Sequence, residues 1–257
     1  MKALPTNATH HHAGIALFAI AAILTPCTVA AQADTARIKF TGDIGYVSTS
    51  GNTSVTTLNV GDKFTWRTGP GTFTQTAAVI YGKTSGTESA NSQLLRARYD
   101  WPVVPRLSVY AFGGYERNKY GGIASRFDEN AGLAYQVIRS ATDLLDFEAG
   151  AGFVQESRYT EEGSNETISN NFPSARTAAM YKHLFTKDTY FQQLIEYLPN
   201  LESSSEYRLN SESSIVAPIS SHLGLKVSGI VRYNAAPPQP ELRKTDRIIS
   251  AGLQITW

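Results

Sequence analysis

Cysteine, charge and long apolar runs are all scarce in this sequence. The single cysteine is Cys27, so no disulfide framework can form within the chain. After residue 33 no apolar run approaches the roughly 18 residues that indicate a membrane-spanning helix. Charged residues make up 18% of the chain, below the roughly 25% of soluble domains. These absences exclude a disulfide-stapled scaffold and a helical membrane protein beyond the first residues.

The chain also lacks an excess of charge of one sign. The chain has 23 basic and 22 acidic residues, which gives a formal net charge of +1. Nucleic-acid-binding domains carry a basic excess on one face or along one helix. We therefore expect no nucleic-acid partner.

The first 33 residues have the organisation of a signal peptide. Lys2 opens a weakly basic start, and an apolar run of twelve residues follows from Ala13 to Leu24. That run is too short to span a bilayer as a helix, and Ala31-Gln32-Ala33 has the small-x-small pattern of a cleavage site. Pro26 directly before Cys27 fits lipoprotein processing poorly. The sequence predicts a signal peptide over residues 1–33 and one domain over residues 34–257.

What the chain has in abundance is alternation of apolar and polar residues. Leu95, Ala97 and Tyr99 alternate with Arg96 and Arg98, and the same pattern recurs in about twelve runs. Successive side chains of a strand point to opposite faces, so each run predicts a strand with one apolar and one polar face. The 13 Tyr, 11 Phe and 20 Gly suit strands joined by many turns.

Connectors rich in Gly, Pro, Asn and Ser separate these runs, and most of them alternate between short and long. Residues 68–71 and 139–142 are short, whereas residues 84–91, 160–170 and 234–243 read as long loops. Short periplasmic turns opposite longer extracellular loops are typical of outer-membrane barrels. The predicted fold class is all-β: an antiparallel transmembrane β-barrel of about twelve strands in the bacterial outer membrane.

The end of the chain favours a membrane barrel over a soluble β-sandwich. Tyr and Trp recur near strand ends on the apolar face, where amphipathic rings favour the membrane–water interface. The last strand alternates up to a final aromatic residue and resembles the terminal assembly signal of outer-membrane barrels. Its residues are Gly252, Leu253, Ile255 and Trp257. The expected partners are outer-membrane lipid and the barrel-assembly machinery.

One acidic residue fits the pattern badly. Asp62 shares a face with Val60 and Phe64, where a carboxylate facing lipid is costly. A β-bulge at Gly61 is one way to turn Asp62 inward.

Two short motifs resemble a known family. Residues 45–53 read GYVSTSGNT and residues 113–117 read GGYER. On an all-β chain of this length they resemble the domain-of-unknown-function 481 family, whose members are described as salt-induced outer-membrane proteins. The resemblance covers essentially the whole predicted mature chain. It implies an outer-membrane barrel with a tie to salt stress, and it brings no catalytic or binding residues.

Catalytic and metal-binding groups are sparse. After residue 33 the only histidines are His183 and His222, and both fall beside short connectors. Neither has a nucleophile and an acid in a pattern that predicts a triad, and no third His or Cys ligand clusters with them. The sequence predicts no enzyme, no cofactor and no metal site, with a barrel-embedded hydrolase as a distant third function.

The polar faces carry charges of both signs in similar number. The candidates to line the lumen are Arg96, Arg98, Asp146, Glu148, Arg176, Lys182, Arg208, Glu212, Lys226 and Arg232. A selective anion channel is expected to carry mainly one sign, whereas mixed buried charges pair with one another. The first hypothesis is therefore a structural or stress-adaptive barrel with a salt-bridged interior, and the alternative is a small porin-like channel for small solutes.

The leader makes a prediction that intact mass spectrometry checks. The protein recovered from the outer membrane should begin at Asp34, because the cleavage pattern ends at Ala33. A recovered chain that retains residues 1–33 would show that this segment is not a cleaved signal peptide.

Overall fold

The computed structural model describes residues 37–49, 55–161, 165–239 and 241–256. The predicted signal peptide and Trp257 lie outside the described residues. Twelve antiparallel strands each pair with the next in sequence, and β1 pairs with β12 to close a barrel. Their bounds are β1 Arg37–Thr49, β2 Val55–Thr68, β3 Gly71–Thr84, β4 Thr87–Val104, β5 Leu107–Asn118, β6 Ile123–Arg139, β7 Asp143–Tyr159, β8 Thr167–Leu184, β9 Tyr190–Pro199, β10 Tyr207–Pro218, β11 Leu223–Asn234 and β12 Thr245–Thr256.

The barrel is apolar outside and polar inside. Leu95 and Ile195 on the outer surface are each 50% exposed, whereas Glu156 and Glu196 in the lumen are 2% and 3% exposed. A soluble barrel buries its apolar face, so this inverse arrangement belongs in lipid. The predicted fold class is confirmed: the chain is a twelve-stranded transmembrane barrel of the outer-membrane type. No helix among the described residues is long and apolar enough to cross a membrane.

One predicted long loop is wrong. Residues 84–91 read as a loop, but β3 continues to Thr84 and β4 begins at Thr87. Ser85 and Gly86 form the turn alone, with positive φ angles of 51° and 83°. Two positive φ values in a two-residue turn match the twist of a hairpin. The prediction failed because the first residues of β4 are polar on both faces of the strand, and such a segment has the same composition as a loop.

The proposed bulge at Gly61 is also wrong. The register of β2 runs without a break through Gly61, and Asp62 lies opposite Gly42 on β1 and Ala77 on β3. Alternation therefore places Asp62 on the outward face. Glu129 on β6 also faces outward, and it is exposed. Two carboxylates thus interrupt the apolar exterior.

The last strand closes the barrel. Leu253 lies opposite Ile44 on β1 and Leu225 on β11, and both Leu253 and Ile255 face outward with 41% exposure. Gly252 lies opposite Gly45, where the two backbones approach closely. The role of this strand as an assembly signal stays a prediction.

The facing of the strands predicts opposite outcomes for one substitution at two positions. Leu95→Arg should lower the free energy of unfolding by about 2–4 kcal/mol if Leu95 lies near the bilayer midplane, because the cation would face lipid. Thr76→Arg should cost much less, because Thr76 lines a cavity in the lumen. Urea unfolding in lipid vesicles measures both, and equal losses would contradict the assigned facing.

Candidate functional site in the barrel lumen

All ten predicted lumen residues lie on the inward face of their strands. Seven of them form ion pairs within the described residues: Arg96, Arg98, Glu148, Arg176, Arg208, Lys226 and Arg232. Asp146, Glu212 and Lys182 form none there, and Lys182 instead lies 3.8 Å from the centre of the Tyr190 ring. The structure thus joins most of these candidates through their charges.

Five side chains from four strands form a continuous chain of ion pairs, here called the central network. Arg98 on β4 binds Asp100 at 2.6 Å and Glu148 on β7 at 2.9 Å. Arg176 on β8 binds the same Glu148 at 2.5 Å and Glu196 on β9 at 2.6 Å. Each arginine thereby bridges two carboxylates. The distances from both arginines to the shared Glu148 are those of charge-assisted hydrogen bonds.

An aromatic platform on β5 supports the central network. The rings of Tyr110 and Phe112 stack with centroids 6.2 Å apart. The guanidinium of Arg98 lies 4.3 Å from the Tyr110 ring centre, and that of Arg96 lies 4.7 Å from the Phe112 ring centre. Tyr110 also donates a hydrogen bond of 2.8 Å to Asn130. These cation–π contacts fix the planes of the two arginines.

The sequence prediction missed this platform. In β5 the inward Tyr110 and Phe112 alternate with the outward Val109 and Ala111, so both faces are apolar. A two-faced pattern cannot be recognised where both faces are hydrophobic. Counting strictly by two from Val109 would have placed the two rings in the lumen.

A second set of ion pairs, here called the outer network, lies towards the extracellular loops. Arg126 on β6 binds Glu116 at 2.9 Å and also binds Glu156 on β7. Glu156 is shared with Arg158 of its own strand. Arg126 and Glu156 are almost completely buried. A charge so buried is stable only with its partner in place.

Three ion pairs join strands that lie far apart around the barrel. They are Glu116–Arg232 at 3.8 Å, Asp128–Arg208 at 3.9 Å and Arg96–Glu196 at 3.8 Å. Glu116 is on β5 and Arg232 on β11, six strands away in a ring of twelve, so their walls are opposite. These cross-lumen pairs show that side chains from facing walls meet inside the barrel.

The lumen contains an outer and an inner cavity. The outer cavity has a volume of about 220 Å³ and the inner cavity, towards the periplasmic turns, about 990 Å³. Arg96 and Leu194 line both cavities, so a layer of side chains at these residues lies between them. The Nε atom of Arg96 is buried there without a hydrogen-bond partner among the described residues.

The β11–β12 loop lines the outer cavity. Pro238 and Leu242 contribute to its wall. Gln239 is buried, and its Nε2 donates a hydrogen bond of 3.1 Å to the carbonyl of Tyr159 at the end of β7. This contact ties the loop to the rim of a distant strand and narrows the extracellular mouth.

The extracellular rim carries an exposed ion pair. Lys119, in the short 3₁₀ turn after β5, donates to Glu88 at 3.0 Å. This hydrogen bond and the neighbouring negative charge raise the pKa of Lys119 above its ordinary value. Exposed pairs of this kind contribute little to stability.

Charge is distributed unevenly along the lumen. Seven basic and three acidic residues line the inner cavity, whereas six basic and five acidic residues line the outer one. The sequence predicted a lumen of mixed charge, but it did not give the height of each charge along the barrel, because strand register sets that height. The structure therefore adds an excess of positive charge on the periplasmic side.

A further cluster lies between β1, β9, β11 and β12. Lys226 donates to Asp43 at 2.6 Å, and Gln254 donates to the other oxygen of Asp43 at 3.0 Å. Tyr190 in turn donates to Gln254 at 3.2 Å. These bonds tie the closing strand β12 to its neighbour β1 and, across the lumen face, to β9.

The two histidines in the described part of the chain form hydrogen bonds at the periplasmic end of the barrel. The Nδ1 of His183 lies 2.8 Å from Asp143, which also accepts a hydrogen bond of 2.6 Å from Tyr181. His222 lies beside Ser221 in the turn after β10, with no acid in that hydrogen bond. Within the described residues, no three His, Cys, Asp or Glu side chains are grouped to hold a metal ion.

Comparison with known proteins gives a family and a fold. The family model described as "Protein of unknown function, DUF481" matches residues 42–257. The "Uncharacterized protein YdiY" of Escherichia coli (strain K12) is 28% identical over 228 residues, covering 86% of this chain and 84% of that protein.

Several solved structures of outer-membrane proteins resemble this barrel, with TM-scores below 0.5. The NanC porin gives a TM-score of 0.45 at 8% identity, covering 84% of this chain and 97% of its own. The KdgM porin in complex with disordered oligogalacturonate gives 0.45 at 11%, covering 86% and 99%. The translocator domain of autotransporter NalP from Neisseria meningitidis gives 0.46 at 11%, covering 86% of each chain.

The central network predicts a large loss of stability when one shared acid is neutralised. Glu196→Gln should lower the free energy of unfolding by about 3–5 kcal/mol, because Arg176 would lose a buried partner. Glu88→Gln is the matched control and should change stability far less, because its partner Lys119 is exposed. Urea unfolding in vesicles compares them, and a similar loss in both variants would refute the buried pairing.

Proposed function

Because the chain belongs to the family described as "Protein of unknown function, DUF481", its membership supplies no activity, and we propose a function from the lumen itself. We propose that this outer-membrane barrel is a structural, stress-adaptive component of the envelope. Its lumen is held mostly closed by ion pairs, and no catalytic step is assigned to it.

The cross-lumen ion pairs are the observation that carries the proposal. In an open pore, side chains of facing walls are separated by water-filled space. Here Arg232 on β11 lies 3.8 Å from Glu116 on β5, and Arg208 on β10 lies 3.9 Å from Asp128 on β6. These contacts narrow the outer half of the lumen, which keeps a cavity of only about 220 Å³.

Burial of the charges supports the same conclusion. The side chains of Arg176 and Glu196 are only 5% and 4% exposed. Water filling the bore would reach both groups. A buried ion pair that loses one partner leaves an uncompensated charge, so the pairs resist separation once they are formed.

The stress-adaptive part of the proposal rests on how salt acts on charges. Added salt shortens the screening length from about 8 Å at physiological ionic strength to about 3 Å at 1 M. Exposed pairs weaken under such a change, whereas buried pairs are screened much less. A barrel held by buried pairs such as Arg126–Glu156 keeps its shape when external salt rises.

A small-solute channel is the second candidate, and one observation favours it. The inner and outer cavities have lining residues in common at Arg96 and Leu194. Rearrangement of this layer alone would connect them. In that case the barrel would conduct small solutes through a narrow path.

Conductance in planar lipid bilayers separates the two candidates. The wild-type protein should show little steady current, because the facing walls are joined. Arg232→Ala should raise the current, because it removes the contact between β5 and β11. Arg247→Ala is the matched control, since Arg247 is an exposed outward residue opposite Val231 in register, and it should leave the current unchanged.

A steady, ohmic current from the wild-type protein would overturn the closed barrel in favour of the channel. Equal effects of Arg232→Ala and Arg247→Ala would show that the cross-lumen pair does not control the bore. Heat-modifiable migration on gels confirms that each variant is folded before its current is interpreted.

A further inference from the structure

We propose that the inner cavity binds a multivalent oxyanion from the periplasmic side, on a wall of unpaired cations and threonines formed by β2 and β3. This inference goes beyond the proposed function, because a closed barrel needs no ligand.

Strand register brings the members of this wall together. Lys39 on β1 lies opposite Thr65 on β2, and Lys63 on β2 lies opposite Thr76 on β3. Arg67 lies opposite Thr72 by the same register. Alternation turns all these side chains into the lumen. We call the members that line the inner cavity the cationic wall: Lys63, Arg67, Thr72, Thr74 and Thr76.

The cations of this wall lack acidic partners. Among the residues that the structure describes, Lys63 and Arg67 form no ion pair, and both are exposed to the lumen. Elsewhere the lumen is different, because Arg98 and Arg126 each bind two carboxylates. The cationic wall therefore differs from the central and outer networks, where each arginine has an acidic partner.

A further cation lies on the inward face of β8. Lys182 forms no ion pair among the described residues, and it lies 3.8 Å from the centre of the Tyr190 ring. Like charges without an acidic partner repel one another. Asp100 is already bound by Arg98 at 2.6 Å. A multivalent anion between these groups would relieve the repulsion.

The chemistry of the wall selects the class of ligand. Lysine ammonium groups act as compact point charges, and threonine hydroxyls donate further hydrogen bonds. The two cations on β2 beside the threonines on β3 match an anion with several charged oxygens, such as a phosphoanhydride or a polycarboxylate. A monovalent anion could contact only part of the wall. The cavity of about 990 Å³ gives room for such a ligand.

Isothermal titration calorimetry with pyrophosphate tests the site, using the folded full barrel in a nonionic detergent at low ionic strength. The wild-type protein should bind pyrophosphate. Lys63→Ala/Arg67→Ala should weaken binding about tenfold or more, because two charge-assisted contacts are lost. Lys63→Arg/Arg67→Lys should retain most of the affinity, because both charges remain.

Lys83→Ala/Lys244→Ala is the matched control. It removes the same charge from the extracellular end, where Lys83 lies 5.8 Å from the Tyr81 ring centre and Lys244 follows the β11–β12 loop. Its affinity should equal that of the wild type. Citrate should compete with pyrophosphate and acetate should not, which distinguishes a multivalent oxyanion site from general attraction.

Absence of pyrophosphate binding to the wild-type protein would overturn the proposal. Equal weakening by the two alanine pairs would do the same, because it would reduce the effect to net charge. Heat-modifiable migration verifies folding of each variant. The conductance result does not decide this test, since a closed and an open barrel can both present the cationic wall.

Discussion

Closure of the sheet by β1 and β12 is the constraint on which the rest of this structure depends. A bilayer offers no partner for an exposed strand edge, so every edge has to be paired. Once the ring is closed, each strand gives one face to lipid and the other to the lumen. Most charged strand residues are thereby gathered in one confined space, and there they pair.

Pairing in turn sets the shape of the lumen. Arg176 joins Glu148 and Glu196 from both neighbouring strands, and this local tie fixes one wall. Arg232 and Glu116 then connect facing walls. Such contacts narrow the extracellular half, whereas the periplasmic half keeps a larger cavity with excess positive charge. The two halves of one barrel thus suit different tasks, closure in one and anion binding in the other.

The sequence predicted the class of fold and the facing of the strands, because period-two alternation is a local property. It placed Arg98, Arg176 and Arg232 in the lumen for that reason. It failed where alternation is hidden: both faces of β5 are apolar, so Tyr110 and Phe112 were missed. The hairpin at Ser85 was missed because polar strand ends have the composition of loops.

The contacts between strands could not be predicted from the sequence. Glu116 and Arg232 are separated by 115 intervening residues, and only register and closure decide that they meet. The height of Lys39 and Lys63 in the barrel depends on the same register. For Asp62 the sequence prediction relied on the energetic cost of a carboxylate that faces lipid, and it proposed a bulge that would turn the side chain inward. The continuous pairing of β2 shows that Asp62 stays on the outward face.

A double-mutant cycle on Glu116 and Arg232 tests the central claim, that facing walls meet inside the barrel, most directly. The free energies of unfolding of the wild type, Glu116→Gln, Arg232→Gln and the double variant give the coupling between the two side chains. Contact predicts a coupling of about 0.5–3 kcal/mol, because residues that touch are not additive. Strict additivity of the two changes would contradict a closed lumen, since residues on walls kept apart by an open bore do not interact.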